Sequence, residues 1–405
     1  MITTRVEKHN IKPSHPYYTM LDEFCFKSKN LYNFANYQIR QTFTKGNGTF
    51  LSYYDMDRLL KMEGMDYDYR SMPTAQSSQH CLRLLENNWK VFFVTIKDWT
   101  KNKDKYSGKP KLPSYLDKTG RNVVVLPMRN STLRSDGTIR FPKTFNGFTL
   151  KTKVTNIQQV RFVPRKGYIK VEVVYRVEVP ELAEDNGRCL GIDIGVDNIA
   201  TVSNNFGEQP IIINGRPLKA INQYYNKQMA RQQKVAKQMN DTNWTNKMTK
   251  LTTKRNNMIE NKLHKASKSI IDYALSCEAN TIVIGNNKGW KIGSKLSKKV
   301  NQKFVGVPHQ RLIRMIQYKA ENVGINVILT EESYTSGTSF LDNEMPIKEN
   351  YNKSRRKYRG LFVSNEGKKI NADVNGSLQI IKKVLPNAFS NGIEDVGLHP
   401  IRVTV

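Results

Sequence analysis

The sequence predicts a multi-domain α/β protein in which a small split β-barrel carries an inserted helical lobe and precedes a C-terminal α/β domain. Three observations support this prediction. Strand-like segments flank a helix-rich zone, a long helical hairpin of one charge sign lies near the middle, and short apolar strands alternate with helices towards the C-terminus. With 405 residues, the chain is long enough for two or three domains with sizeable cores.

The charge of the chain is extreme. Its 65 lysines and arginines outnumber its 35 acidic residues and give a formal net charge of +30. Such a charge predicts a polyanionic partner, and nucleic acid is the first candidate. A membrane is not expected as a partner, because the sequence has no apolar run of about 18 residues and no signal-peptide pattern at its start.

The four cysteines, Cys25, Cys81, Cys189 and Cys277, stand alone in the sequence. Structural zinc sites need closely spaced cysteine pairs, and secreted disulfide scaffolds need a higher density of cysteines. We therefore expect a reducing, cytoplasmic environment and no structural zinc.

The N-terminal half alternates between strand and helix patterns. Residues 1–17 contain a segment rich in valine and threonine, which predicts the first barrel strand. Residues 18–107 form the helical lobe, and residues 108–185 begin with a proline-containing linker and continue as further strands. Within the lobe, helical spacing over residues 77–93 places the following side chains near one face: Cys81, Leu84, Leu85, Asn88 and Phe92.

A basic helical hairpin is predicted over residues 216–277. Between residues 216 and 269, thirteen lysines and arginines accompany only two acidic residues. Helices of one charge sign repel themselves, so this pattern favours binding along phosphates over a solvated structural surface, which stays the alternative. The candidate nucleic-acid contacts are Lys219, Lys227, Arg231, Lys234, Lys254 and Arg255.

Two carboxylates lie in unusual positions. Asp193 lies inside an apolar strand that turns on glycine and resumes as a second strand, and Asp373 lies in the first turn of a predicted helix. A buried aspartate is costly unless its charge is compensated, and a divalent cation is the usual compensation at such a site. The alternative for Asp193 is a residue that caps its own turn.

Segments 191–202 and 370–377 resemble the RuvC nuclease motifs of the OrfB/TnpB family, which comprises RNA-guided nucleases of transposons related to type V CRISPR effectors. Segments 281–285, 324–328 and 334–336 match further motifs of the family in the same order. The resemblance covers the C-terminal half well and the N-terminal half loosely. It implies that residues 186–405 form an RNase H-like (RuvC) domain, and that the split barrel is a wedge domain with an inserted recognition lobe.

The resemblance also implies a function, namely RNA-guided cleavage of DNA. A guide RNA from the flanking locus would pair with a double-stranded DNA target in the cytoplasm of a prokaryote. Gln76 and Gln79, one helical turn apart in the lobe, would read a short flanking motif, as amides can do bidentately with adenine. Cleavage would require Mg²⁺ or Mn²⁺ held by three carboxylates, with paired cations about 4 Å apart.

The third carboxylate is missing from its usual place in this sequence. Where the family usually carries glutamate, the strand over residues 281–285 ends in Gly285, which cannot bind a metal. Either catalysis has been lost, or a carboxylate comes from the next strand end, at Glu331 or Glu332. Alternate side chains of an extended chain face opposite ways, so only one of these residues faces the site. We favour Glu332 as catalytic and metal-binding with Asp193 and Asp373; a solvent-exposed strand end is the alternative.

The insert at residues 336–370 also departs from the family, many of whose members carry cysteine pairs for zinc there. No thiolates remain in this segment, so it is expected to be held by apolar contacts or by bound nucleic acid. Three other functions stay open: a nuclease-inactive guided repressor, an RNA-independent transposase accessory protein and a CRISPR-associated effector. The oligomeric state also stays open.

Overall fold

A computed structural model describes residues 1–46, 48–62, 67–240, 244–287, 302, 306–358, 360–390, 392 and 395–405. The chain divides into two compact units. The N-terminal unit contains residues Ile2–Glu178, and the C-terminal unit contains Val179–Val405 together with Met1.

The N-terminal unit holds two antiparallel sheets. In the larger sheet the strand order is β1-β7-β6-β2, and in the smaller one it is β3-β4-β5. The first strand pairs along its whole length with β7, as predicted for strands that flank an inserted helical zone. The described strands form these two sheets and no continuous hydrogen-bonded ring, so the closed barrel stays a prediction. The strands are β1 (Ile2–Ile11), β2 (Val124–Pro127), β3 (Thr132–Leu133), β4 (Thr138–Arg140), β5 (Thr149–Lys151), β6 (Ile157–Arg165) and β7 (Tyr168–Glu178).

The helical zone of this unit contains α1 (Tyr18–Lys45), α2 (Tyr53–Lys61), α3 (Tyr67–Ser71) and α4 (Ala75–Lys101). The buried face of α4 differs from the predicted one: Cys81 and Leu85 are buried, but Asn88 is exposed and Trp89 is fully buried. The helix packs against both α1 and β2. Trp89 lies in this interface and donates its indole N–H to Asn36 Oδ1 at 3.0 Å.

The C-terminal unit is built on a six-stranded mixed sheet with the order β12-β11-β8-β9-β10-β16. Strands β8, β11 and β12 run parallel, so their carboxyl ends lie at one edge of the sheet. The strands of this sheet are β8 (Cys189–Asp193), β9 (Asn198–Asn204), β10 (Ile211–Asn214), β11 (Thr281–Gly285), β12 (Asn326–Thr330) and β16 (Ile401–Val403). A second, three-stranded sheet contains β13 (Arg356–Tyr358), β14 (Leu361–Val363) and β15 (Lys369–Asn371).

Helices cover both faces of the six-stranded sheet, which explains why β11 is buried along its whole length. Ile282 and Ile284 of β11 share a buried cluster with α6 and α7, whereas Val283 packs with Ile380 and Ile381 of α8. None of the described helices is both long and apolar enough to cross a membrane. The helices of this unit are α5 (Arg216–Asn240), α6 (Asn246–Ser276), α7 (His309–Glu321) and α8 (Ala372–Val384).

Candidate functional site

Three carboxylates from distant parts of the chain line one cavity of about 280 Å³ at the edge of the six-stranded sheet. Asp193 is the last residue of β8, and Glu332 follows the end of β12. Asp373 lies in the first turn of α8, whose N-cap Asn371 accepts hydrogen bonds from the backbone N–H groups of residues 373 and 374. The structure therefore brings together the three residues that the sequence predicts as catalytic.

Glu332 occupies the space beside Gly285, the last residue of β11. A Cβ atom at position 285 would lie 2.5 Å from Glu332 Oε1, a separation that real Cβ atoms do not show. The glutamate is further held by Asn287, which donates its Nδ2 to Glu332 Oε2 at 3.2 Å and accepts the backbone N–H of Glu332 at 3.0 Å. The carboxylate of Glu332, which follows β12, thus fills the space left by the missing side chain of Gly285 at the end of β11.

Glu331 points away from this cavity. Its side chain is 65% exposed and lies 3.4 Å from Lys383 Nζ. It also accepts a hydrogen bond from Ser333 Oγ, and this bond lowers the pKa of Glu331. Of the two neighbouring glutamates, only Glu332 lines the cavity with Asp193 and Asp373.

The cavity concentrates negative charge. Burial raises the pKa of Asp193 well above its usual value, and the carboxylates of Glu332 and Asp373 raise it further. Burial, followed by the charge of Glu331, raises the pKa of Glu332 to about 7. The positive charges of Arg356 and Lys383 do not offset the burial and repulsion of these carboxylates, and a bound cation would relieve that imbalance.

Asp373 already has two partners in the cavity. Asn198 donates Nδ2 to its Oδ2 at 2.7 Å, and Arg356 donates Nη2 to its Oδ1 at 2.9 Å. Arg356 was not predicted from the sequence. It lies in the insert over residues 336–370, among other basic residues, and nothing in the local pattern distinguishes it from its neighbours.

The residues present fit a divalent cation in charge and donor type, since three carboxylates converge on one cavity. Gly376 of α8 supports this convergence, because a Cβ atom there would lie 3.0 Å from Asp193 Oδ2. Within the described ranges, however, no three acidic, histidine or cysteine side chains form a ready-made metal-ligand group. A cation bound by Asp373 Oδ1 would compete with Arg356 for that oxygen, while Asn198 could keep its bond to Oδ2.

The structure changes the interpretation of two basic candidates. Lys219 forms an ion pair with Asp197 Oδ1, in the turn between β8 and β9, so its charge is already partnered. Arg255 is half-buried, and it donates to Asn222 Oδ1 at 2.7 Å and to the backbone oxygen of Gly306 at 2.9 Å. Burial also lowers the pKa of Arg255. Both residues have structural partners that the sequence pattern did not reveal.

The other predicted basic contacts lie on the surface of the hairpin. All four of these side chains are exposed and are available to phosphates: Lys227, Arg231, Lys234 and Lys254. Their contact with nucleic acid stays a prediction.

In the helical lobe, Gln76 and Gln79 are both half-buried. Gln76 Oε1 accepts a hydrogen bond from Asn130 Nδ2 at 3.1 Å. This bond uses one of the two lone pairs of the Gln76 amide oxygen and orients the amide, while the second lone pair and the amide nitrogen can still face a base. Base reading by Gln76 and Gln79 stays a prediction, and Asn130 is a residue that orients Gln76.

The N-terminal unit has a cavity of about 430 Å³ between α4 and the larger sheet. Its basic members are Arg83 of α4 and Arg161 and Arg165 of β6, and Arg161 pairs with Glu172 at 2.8 Å. Valines line its sheet side, so the cavity combines an apolar floor with cationic groups.

Comparisons with known proteins match two regions of the chain. Residues 172–291 match the family model described as OrfB_IS605, probable transposase. Residues 309–380 match the model described as Cas12f1-like, TNB domain. Together, the two matched regions contain Asp193, Glu332 and Asp373.

A related protein is the CRISPR-associated endodeoxyribonuclease Cas12f2 of Micrarchaeota archaeon (strain CG1_02_47_40). It is 26% identical over 235 residues, which cover 54% of this chain and 40% of that protein. The matched part therefore spans less than half of the relative's length.

Two solved structures align with most of the chain. A Cas12f1-sgRNA-target DNA complex aligns at 15% identity with a TM-score of 0.37, covering 93% of this chain and 98% of that chain. The mini-RNA-guided endonuclease CRISPR-Cas_phi3 aligns at 8% identity with a TM-score of 0.46, covering 95% and 92%. TM-scores below 0.5 do not by themselves establish a shared fold.

Proposed function

We propose that the chain is an RNA-guided DNA endonuclease, because residues 172–291 and 309–380 match the OrfB_IS605 and Cas12f1-like TNB family models. A guide RNA from the flanking locus pairs with the target strand, and the protein hydrolyses the DNA phosphodiester at the cavity formed by Asp193, Glu332 and Asp373. Sequence specificity comes from base pairing, with a short flanking motif read by the protein. The proposed setting is the prokaryotic cytoplasm, in a transposon or a CRISPR context.

The observation that carries this proposal is the cavity itself. Asp193 and Glu332 share it with Asp373, and Glu332 fills the space beside Gly285. Mg²⁺ or Mn²⁺ bound there would activate the attacking water and stabilise the leaving oxygen. The three carboxylates would hold the cation, and Asn198 would orient Asp373.

Arg356 contributes a guanidinium group to the same cavity. Planar guanidinium groups pair with phosphate oxygens through two parallel N–H bonds. We assign Arg356 to binding the phosphate of the strand being cut. In doing so, Arg356 would exchange its bond to Asp373 for a bond to the substrate phosphate.

The proposed nucleic-acid channel involves the exposed basic residues of α5 and α6. The charge of +30 supports a polyanionic ligand of considerable size. In the proposed organisation, residues 1–17 and 108–185 form the wedge, 18–107 the recognition lobe and 186–405 the nuclease domain. The cationic cavity beside α4 supports nucleic-acid binding by the N-terminal unit as well.

The test is cleavage of a matching plasmid in Mg²⁺ by protein purified with RNA from its own flanking locus. We expect the wild type to cut, Asp193→Ala and Glu332→Ala to abolish cutting, and Glu331→Ala to retain it. Glu331→Ala is a matched control because it removes an identical carboxylate one residue away. Loss of cleavage in Glu331→Ala with cleavage retained in Glu332→Ala would overturn the assignment of the third carboxylate.

A second candidate is an RNA-guided DNA-binding protein that does not cut. The ion pair between Asp373 and Arg356 favours it, because Arg356 already neutralises one of the three carboxylates. In this case the wild type would bind the target with its guide RNA, and neither Mg²⁺ nor Mn²⁺ would produce cleavage at any concentration.

A further inference from the structure

The insert over residues 336–370 contains a buried arginine. Arg355 precedes β13, and its side chain is only 9% exposed. It donates Nη1 to Glu344 Oε1 at 2.8 Å and Nη2 to the backbone oxygen of Asn350 at 2.6 Å. Nη1 also lies 3.3 Å from Asn365 Oδ1 and 3.6 Å from Asp342 Oδ2. One side chain thus connects four separate points of the insert.

The acidic partners of Arg355 are themselves fixed to the backbone of the insert. Asp342 Oδ2 accepts the backbone N–H of Asn365 at 2.8 Å, and Glu344 Oε2 accepts the backbone N–H of Ser339 at 2.8 Å. Their side chains are 10% and 17% exposed, so their charges are poorly solvated without the arginine. The insert contains no cysteine that could hold a structural metal. The ion-pair cluster around Arg355 joins the loops of the insert instead.

The next residue, Arg356, faces the carboxylate cavity. Arg355 is the last residue of the 3₁₀ turn Lys353–Arg355, and Arg356 is the first residue of β13. Anchoring Arg355 inside the insert therefore fixes the point from which β13 and the Arg356 side chain start. Arg356 is paired with Phe362 of β14, and β14 pairs with β15, which leads directly into α8 and Asp373. The position of Arg356 relative to Asp373 therefore depends on how this small sheet and its loops are held.

We propose that Arg355 is a positioning residue for the nuclease site: through its bonds to Glu344, Asp342 and Asn350, it sets where the Arg356 guanidinium lies against Asp373. This inference rests on the proposed function for its catalytic meaning. The coupling between Arg355 and Arg356 at the carboxylate cavity can be measured through Mn²⁺ affinity, without any cleavage.

The test is a double-mutant cycle with Arg355→Met and Arg356→Gln in the full chain. Mn²⁺ affinity is read from the paramagnetic resonance signal of free Mn²⁺, and plasmid cleavage is measured in parallel. We expect Arg356→Gln to tighten Mn²⁺ binding about fivefold, because the cation no longer competes with an ion pair for Asp373. Arg355→Met should shift the affinity in the same direction, and the double variant should match Arg356→Gln alone.

A folding control separates positioning from collapse of the insert. Hydrogen exchange over residues 339–345 and 361–371 reports whether the insert stays folded, and Arg355→Lys provides a milder variant that keeps the charge but loses the planar fork. If Arg355→Met unfolds the insert, Arg355→Lys replaces it in the cycle. Glu366→Gln, which breaks the exposed pair between Glu366 and Lys368 in the same insert, should leave all readouts unchanged.

The outcomes are distinct. An unchanged Mn²⁺ affinity in the folded Arg355 variant, or effects of the two substitutions that multiply, would overturn the positioning role. Coupled effects on Mn²⁺ affinity would support it even if wild type never cuts, in which case the proposed nuclease function fails and the positioning of Arg356 stands.

Discussion

Glu332 lies in the space that a side chain at position 285 would need, with Oε1 only 2.5 Å from where a Cβ of residue 285 would be. Gly285 ends β11, and Glu332 follows the end of the neighbouring parallel strand β12 at the same edge of the sheet. A carboxylate can therefore reach the cavity from either strand, but side chains on both cannot occupy it together.

The first prediction tests this exclusion by exchanging the two residues. Gly285→Ala should destabilise the protein by about 1–3 kcal/mol, because its Cβ collides with Glu332. Gly285→Glu should lose cleavage, and the double variant Gly285→Glu/Glu332→Gly should recover both stability and Mg²⁺-dependent cleavage. Urea unfolding and plasmid cleavage measure the two effects. A double variant no better than Gly285→Glu would show that the positions are not interchangeable.

The second prediction concerns pH in the absence of divalent cations. The pKa of Glu332 is 4.5 in an ordinary environment and about 7 in the folded protein. The folded chain therefore binds more protons between these values, and the free energy of unfolding falls as the pH rises through them. Glu332→Gln should be more stable than wild type at pH 8 in EDTA, by at most about 3 kcal/mol. The advantage should disappear below about pH 4.5.

The measurement is urea unfolding of both proteins at pH 4 and pH 8, with Glu331→Gln as the matched control. Glu331 has a lowered pKa and an exposed side chain, so its replacement should bring no gain at pH 8. Equal stabilities of wild type and Glu332→Gln at pH 8 would mean that the glutamate carries no unfavourable charge.

The third prediction concerns the basic hairpin. Replacing Lys227, Arg231 and Lys234 by glutamine should weaken nucleic-acid binding and reduce the slope of log affinity against log salt by roughly 0.7–0.9 per lost phosphate contact. Lys268→Gln is the control, since Lys268 already pairs with Asp272 at 2.8 Å. Fluorescence anisotropy with guide RNA at several salt concentrations measures the slope. An unchanged slope in the triple variant would place the nucleic acid elsewhere.

The fourth prediction concerns the flanking motif. Because Asn130 holds the amide oxygen of Gln76, Asn130→Ala and Gln76→Ala should relax the preference at the same motif position. Gln79→Ala should affect a different position or none. Cleavage of a plasmid library with a randomised flank measures the motif preference of each of the three variants. Changes at unrelated positions for Asn130→Ala and Gln76→Ala would show that the bond has no role in recognition.

Asp193 and Asp373 are each marked by a local pattern, a strand end and a helix start. The pattern alone left a turn-capping role open for Asp193, and the family resemblance favoured the catalytic one. Side-chain alternation after the strand predicted that only one of Glu331 and Glu332 faces the site, and the family resemblance favoured Glu332. In the structure, Glu332 lines the cavity. Arg356 could not be found in this way, because its partner Asp373 is 17 residues away across a small sheet. The same applies to Lys219 and Arg255, whose charges looked available in sequence but have tertiary partners.

The pairing of β1 with β7 affects how the chain folds during synthesis. Ile2 pairs with Glu178 and Ile11 pairs with Ile169, so the first strand has no partner until the whole helical lobe has been translated. At about 5–20 residues per second, this leaves an unpaired strand waiting for roughly ten seconds or more. Folding of the N-terminal unit should therefore be the slow and aggregation-prone step of biogenesis. Shortening the helical lobe should let this unit finish folding sooner on the ribosome.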